Sequence, residues 1–267
     1  MQALSDYYRE QRQYKYFEAG GSASDYPIVC LHGILGNADE WMASAAYVGA
    51  HGYRTLVPML PFKDFPLSKC TVDGVVAYVR GFMESLDLNP VVIAGNSLGG
   101  QLALRYTLSY PESVSALVLS GSAGLYEVPL GTSPIRRRDR NYIRERAQIV
   151  FFNPAHATEK LVDRISSVGS DRRYLTNIIH LGRDSQRLSL QNRLGEINAH
   201  TALIWGQNDT ITPPDVAEQF LDNIPNAELH FIKECGHAPM IEHPQTFGRH
   251  VVQFLHKIKE NGTLHAV

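Results

Sequence analysis

The chain is expected to fold as a mainly parallel α/β sheet with helices on both faces and a helical insertion late in the sequence. Three observations predict this. Short, continuous apolar runs alternate with helix-forming segments, and parallel neighbours need such crossovers. Several runs stop at glycine-bearing loops: His32-Gly33-Ile34-Leu35-Gly36, Gly95-Asn96-Ser97-Leu98-Gly99, Gly206-Gln207-Asn208-Asp209 and Cys235-Gly236-His237. From about Tyr126 to Gly195 the alternation is lost. With 267 residues, 44% of them hydrophobic, one such domain can bury its own core.

In chain order, Tyr14 to Glu18 reads as an early strand, and Gly20-Gly21 with Ser22 and Ser24 as a turn cluster. Ile28 to Leu31 is a short apolar strand of the kind buried on both faces. Ala38 to Ala50 has helix composition, with Asn37 as its cap and Trp41 on its first turn. A strand from Gly52 to Val57 leads to a loop in which Pro58, Pro61 and Pro66 forbid regular structure. Thr71 to Leu86 places Val72, Val75, Val76, Val79, Phe82, Met83 and Leu86 at helical spacing.

A strand from Val91, a helix from Leu98 to Ser109 and a strand from Val114 to Leu119 follow. The arginine-rich stretch 126–195 carries helix-like runs at Tyr142 to Val150, Thr158 to Val168 and Tyr174 to Leu181, and reads as a helical cap inserted into a core formed by 1–125 and 196–267. Thr201 to Trp205 resumes the sheet, Pro213 and Pro214 open a helix to Leu221, Glu228 to Ile232 is a strand, and a last helix spans Pro244 to Lys257.

The chemistry collects at strand ends, where ligands gather in open α/β sheets. Gly-Asn-Ser-Leu-Gly between a strand and a helix is the Gly-x-Ser-x-Gly pattern, which makes Ser97 the candidate nucleophile. Serine at neutral pH needs an imidazole to take its proton and a carboxylate to orient that imidazole. His237 and Asp209 are the candidates, in the chain order serine, acid, histidine. Asp209 could also be a turn residue, and Asp215, inside the next helix, is a poor substitute. His243 is the nearest rival to His237, but its place beside Pro244 marks a helix start. His32 is expected to brace the neighbouring loop. The backbone N–H groups of Ile34 and Leu98 are the candidate oxyanion donors.

Composition narrows the classes. Near-balanced totals of 25 basic and 27 acidic residues give no reason to expect nucleic acid as a partner. No run of about eighteen apolar residues suggests a membrane span or leader, and Cys30, Cys70 and Cys235 lack metal or redox spacing, so a cytoplasmic chain with reduced thiols is expected. The histidines show no metal-ligand spacing, so neither metal nor cofactor is expected. Oligomeric state is not readable, although a homo-oligomer is compatible. Arg136, Arg137, Arg138, Arg140, Arg144 and Arg146 against Asp139 and Glu145 make a local net charge of +4, either a solvated helix face or a basic lip for anionic substrates.

The segments HGILGN, GNSLGG, LIWGQND and ECGHAPMIEHPQTF together resemble the α/β-hydrolase superfamily across nearly the whole chain. The resemblance implies an α/β-hydrolase fold with a cap and a cofactor-independent serine hydrolase working through an acyl-enzyme. Asn96 before the serine and RLGEINAHTALIWG before the acid loop are similar to the meta-cleavage product hydrolases, which split carbon–carbon bonds in ring-opened aromatic acids. The run FFNPAHATEKLVDRI is similar too, and would put Arg164 at that family's substrate-contacting arginine. The chain departs from that family at Ile34-Leu35-Gly36, where a Gly-Pro-Gly loop is usual, and at Ala238, where a tryptophan is usual. Asn96, Trp41, Arg164 and Ala238 are therefore the substrate-side candidates. The expected activity is hydrolysis of a carboxylic ester with a small or medium apolar acyl group; the alternatives are C–C bond hydrolysis and a ligand-binding protein with little turnover.

Overall fold

The computed structural model describes residues 8–21, 26–128, 136 and 138–261. Eight strands make one sheet: β1 (Tyr8–Gln11), β2 (Tyr14–Ala19), β3 (Ile28–Leu31), β4 (Thr55–Pro58), β5 (Val91–Asn96), β6 (Val114–Ser120), β7 (His200–Gly206) and β8 (Ala227–Ile232). Their order is β1-β2-β4-β3-β5-β6-β7-β8. Among the described residues, only the pairings β1 with β2 and β2 with β4 are antiparallel. The serine strand β5 is therefore central, with β3 and β6 as its neighbours.

Period-two burial on both faces explains why the central strands are almost wholly apolar. Val29, Leu31, Val91, Ile93, Leu117, Leu119, Leu203 and Trp205 face one apolar cluster; the residues between them, such as Cys30, Val92, Ala94, Val118 and Ile204, face another. Both sides of the sheet are thus apolar because helices cover both. Helices α2 (Val72–Ser85), α3 (Leu98–Ser109) and α7 (Pro214–Asn223) supply the first cluster, and α1 (Met42–Ala50) and α9 (Pro244–Glu260) the second. A short α8 (Pro239–Glu242) precedes α9, and the stretch between β6 and β7 contains α4 (Arg140–Gln148), α5 (Glu159–Ser170) and α6 (Arg172–Arg187).

Several boundaries differ from expectation. Strand β1 was not foreseen; its four residues are mostly exposed polar edge positions with no apolar signal. Strand β4 begins at Thr55, because Gly52 sits at φ +92° in the turn before it. The helix expected from Ala38 starts with a 3₁₀ turn at Ala38–Trp41, and the Asn37 side chain does not cap it but donates to Asp39. Caps do form at Thr71, Asp139 and Thr158, each accepting from a backbone N–H two or three residues on. Ser22, Ser24 and Arg137 lie outside the described residues. Among the described residues no helix is long and apolar enough to cross a membrane.

Candidate active site

Strand β5 ends in a turn of unusual geometry. Ser97 has φ 56° and ψ −124°, a conformation that a side chain seldom adopts and that costs on the order of 1–3 kcal/mol. Bonds on both sides hold it. Its N–H donates to Ser120 O at 3.2 Å, and its carbonyl accepts from Gly100 N at 2.9 Å and Ala123 N at 3.0 Å. The glycines of the pattern make the turn possible: a Cβ on Gly95 would collide with Gly99, and one on Gly99 with the Leu31 carbonyl. The turn pushes the hydroxyl into a cavity of about 430 Å³ that Ser97, His237, Ile34 and Ala238 all line.

His237 follows β8 on a loop buried to 6% exposure. Its Nδ1 lies 2.9 Å from Asp209 Oδ2, so Nδ1–H donates to the carboxylate and Nε2 keeps its lone pair. Asp209 is itself saturated. Ile211 N and Thr212 N donate to Oδ1 at 2.8 and 3.0 Å, and the Thr212 hydroxyl donates to Oδ2 at 2.8 Å. Burial acts to raise the Asp209 pKa, but the charge and hydrogen bond of His237 and the bonds from Thr212 carry it below the ordinary range. Burial likewise acts to lower the His237 pKa, and Asp209, by charge and hydrogen bond, turns the net shift upward. Both directions describe one coupled pair that favours the imidazolium.

The loop after β3 runs beside the serine: a Cβ on Gly33 would stand 3.3 Å from Ser97 Cβ. Ile34 on this loop lines the cavity, and Leu98 is the first residue of α3, where a backbone N–H has no intrahelical acceptor. Ile34 thus stands on the same cavity wall as Ser97, and the Leu98 N–H needs an acceptor from outside its helix. Behind the loop, His32 is 2% exposed; Leu60 N donates to its Nε2 at 3.2 Å and its Nδ1 lies 2.9 Å from Gly33 O. Those partners require the neutral ring with hydrogen on Nδ1. Burial agrees, lowering the His32 pKa to about 4.

The substrate-side candidates divide. Ala238 lines the cavity. Asn96 also reaches its wall, but its amide donates to Ser120 O at 2.9 Å and to His237 O at 2.8 Å, so both hydrogens tie strand ends together. Trp41 is not at the site: it is 1% exposed and packs edge-on against Phe247 at 5.7 Å. Arg164 is not there either. Its guanidinium is paired with Glu40, while Leu161 and Ile165 of the same helix line the cavity. Successive helical residues point about 100° apart, so α5 presents positions 161 and 165 together and turns 164 away. His243 Nε2 meets Glu234 O at 2.9 Å and Asp215 sits in the first turn of α7, as helix-start residues.

Three members of the basic run bind neighbouring acids, Arg136 to Asp139, Arg140 to Glu159 and Asp163, and Arg144 to Glu159, while Arg146 lies over the Tyr142 ring at 5.2 Å. Arg136, Arg140 and Arg144 are exposed or half-buried, and no arginine of the run lines the cavity among the described residues.

Sequence reasoning missed three acids. Glu242, 9% exposed, accepts from Gly236 N at 2.7 Å with one oxygen and from Phe152 N and Asn153 N at 2.8 and 3.1 Å with the other. It clamps the histidine loop to the helical segment, assisted by His237 N donating to Val150 O at 2.8 Å. A carboxylate directly after the apolar run from Ala238 to Ile241 was the available signal. Glu40 and Glu127 both reach the cavity, and nothing local in the sequence marks them.

Comparison with known proteins yields four findings. The model of the alpha/beta hydrolase family matches residues 28–249. The 2-hydroxy-6-oxononadienedioate/2-hydroxy-6-oxononatrienedioate hydrolase of Cupriavidus pinatubonensis is 31% identical over 251 residues, 85% of this chain and 86% of that protein. Among solved structures, MGS-MChE2, an alpha/beta hydrolase enzyme from the metagenome of Mar Chica lagoon sediments, is 32% identical with a TM-score of 0.76, covering 96% of this chain and 99% of that one. The meta-cleavage product hydrolase of Pseudomonas fluorescens IP01 shares the fold at a TM-score of 0.76 and 21% identity, over 91% and 94% of the two chains.

Proposed function

The chain belongs to the alpha/beta hydrolase family and is a hydrolase, and from that premise we propose that Ser97 cleaves a carboxylic ester whose acyl part is small to medium and apolar. The observation that carries this reading is the cavity wall. Ile34, Leu161, Ile165, Ile211 and Met240 line it, and Arg164, the cation that would hold a substrate carboxylate, is bound to Glu40 instead. A carboxylate taken into such a site without a cation would lose hydration and gain no partner.

In this mechanism the Ser97 oxygen attacks the ester carbonyl as His237 Nε2 takes the hydroxyl proton. The Ile34 and Leu98 N–H groups receive the developing oxyanion, the alkoxide leaves with the proton from His237, and water, deprotonated by the same imidazole, releases the acyl group. Asp209 holds the tautomer and stabilises the imidazolium. The partner is a small molecule.

A second reading is favoured by a specific observation. The 31% identical relative bears the name of a hydrolase of 2-hydroxy-6-oxo acids, and on similarity alone C–C bond hydrolysis has more support than ester hydrolysis. The same residues could perform it, with a carbon leaving group protonated in place of an alkoxide. A p-nitrophenyl ester series measured beside a ring-fission dienoate separates the two. Ester turnover with no dienoate turnover is expected; the reverse result would overturn the ester assignment, and turnover of neither would favour a ligand-binding role.

A further inference from the structure

Among the described residues, three titratable side chains line the cavity of Ser97: Glu40, Glu127 and His237. Two of them are neutralised from outside it, Glu40 by Arg164 and His237 by Asp209. Glu127 is different. It lies just beyond β6 on the way into the helical segment, and among the described residues no hydrogen bond or ion pair engages its carboxylate. Its place is nonetheless held, because the next residue, Val128, donates its N–H to Ile211 O at 2.7 Å and so fastens this stretch to the acid loop.

Burial pushes the Glu127 pKa up, His237 draws it down, and Asp209 adds repulsion. A partly buried carboxylate without a partner makes a local minimum of potential, which a ligand cation would fill. Apolar walls around it suit the methyl or methylene groups that surround such a cation.

We propose that Glu127 is a specificity-determining residue that receives an ammonium group of the substrate, which makes the substrate class a carboxylic ester with a cationic substituent. The inference rests on the ester reading and deepens it. Among the described residues no lysine or arginine lines the cavity, which suits a substrate that brings its own ammonium group.

The test is a ligand-observed NMR titration of the whole chain with choline and with its neutral isostere 3,3-dimethylbutan-1-ol. Choline is expected to bind about tenfold more tightly, and Glu127→Gln to remove that preference while leaving the isostere's Kd unchanged. Equal binding of the two ligands, or a preference that survives Glu127→Gln, overturns the proposal. Should Glu127→Gln lose both ligands, Glu127→Asp decides, because it must restore the choline preference or the proposal fails. The readout is binding, so it separates from the ester reading: choline preference without turnover of any ester removes that reading and keeps the cation site, and turnover of neutral esters without choline preference does the reverse.

Discussion

The strand-end loops and the helical segment between β6 and β7 meet at one cavity but are built differently. At the strand ends, short polar groups are locked by buried hydrogen bonds to backbone, as in the four bonds that surround the Asp209 carboxylate. The helical segment is attached in part by long charged side chains, Lys160 to Asp39 and Arg164 to Glu40, and Arg140 and Arg144 join its own helices through Glu159. Groups of the first kind have one geometry imposed by the sheet, and groups of the second kind can be exchanged while the fold persists. A family can therefore keep its chemistry at the strand ends and rewrite its substrate in the helices.

The largest expected effect falls on the strand ends. Ser97→Ala should lower kcat on the order of 10⁴-fold or more and abolish labelling by a fluorophosphonate probe; undiminished labelling would remove Ser97 as nucleophile. Asp209→Asn should cost about 10⁴-fold in kcat through the wrong tautomer. It carries a pH signature as well. General-base action needs neutral His237, whose pKa Asp209 holds above the ordinary value, so kcat/KM should rise as pH climbs through that pKa. The asparagine variant should move this limb to lower pH, and an unmoved limb would contradict the pairing.

Within the helical segment the scale drops from rate to stability. Arg164→Met strands the Glu40 charge, and with the two side chains 19% and 15% exposed the loss should be about 3–5 kcal/mol. Urea unfolding measures it, and the double variant with Glu40→Gln should recover most of it. If Arg164 were a substrate clamp, the variant would instead lose activity selectively on anionic substrates.

His32 links the two regions, lying behind the loop that Glu40 follows. Its folded pKa, about 4, is below the ordinary 6.5, so between those values the unfolded chain binds the proton and the folded chain does not. Stability contributed by neutral His32 is complete above about 6.5 and is lost as pH falls toward about 4. Thermal melts of His32→Gln should show a flatter pH dependence in that window. The smallest effect belongs to Arg140→Gln with Arg144→Gln. These ion pairs are exposed, so neither Tm nor kcat/KM for an anionic ester should change measurably, even at low salt; a salt-dependent loss would restore the basic lip.

Much of the fold was legible because its signals are local. Two-sided burial requires unbroken apolar strands such as Ile28–Leu31 and Val91–Asn96, and crossovers require the helices between them. The exposed edge strand β1 carries no such signal and escaped notice. At the site, glycine beside serine and polar residues after apolar runs directed attention to Ser97, Asp209 and His237, which the structure brings together.

By itself, then, the sequence determined the parallel sheet, the glycine-dependent turn at Ser97 and the strand ends from which Asp209 and His237 project, because each follows from backbone periodicity or from space around one residue. The tertiary structure alone decided that Arg164 turns to Glu40 while Ile165 meets the cavity, that the Asn96 amide is spent on Ser120 and His237, that Glu242 holds the histidine loop, and that Glu127, distant in sequence, shares the cavity with His237. Those choices depend on how helices dock on the sheet. A rotation of about 100° separates neighbouring positions on a helix, and no local pattern specifies which of the two faces the ligand.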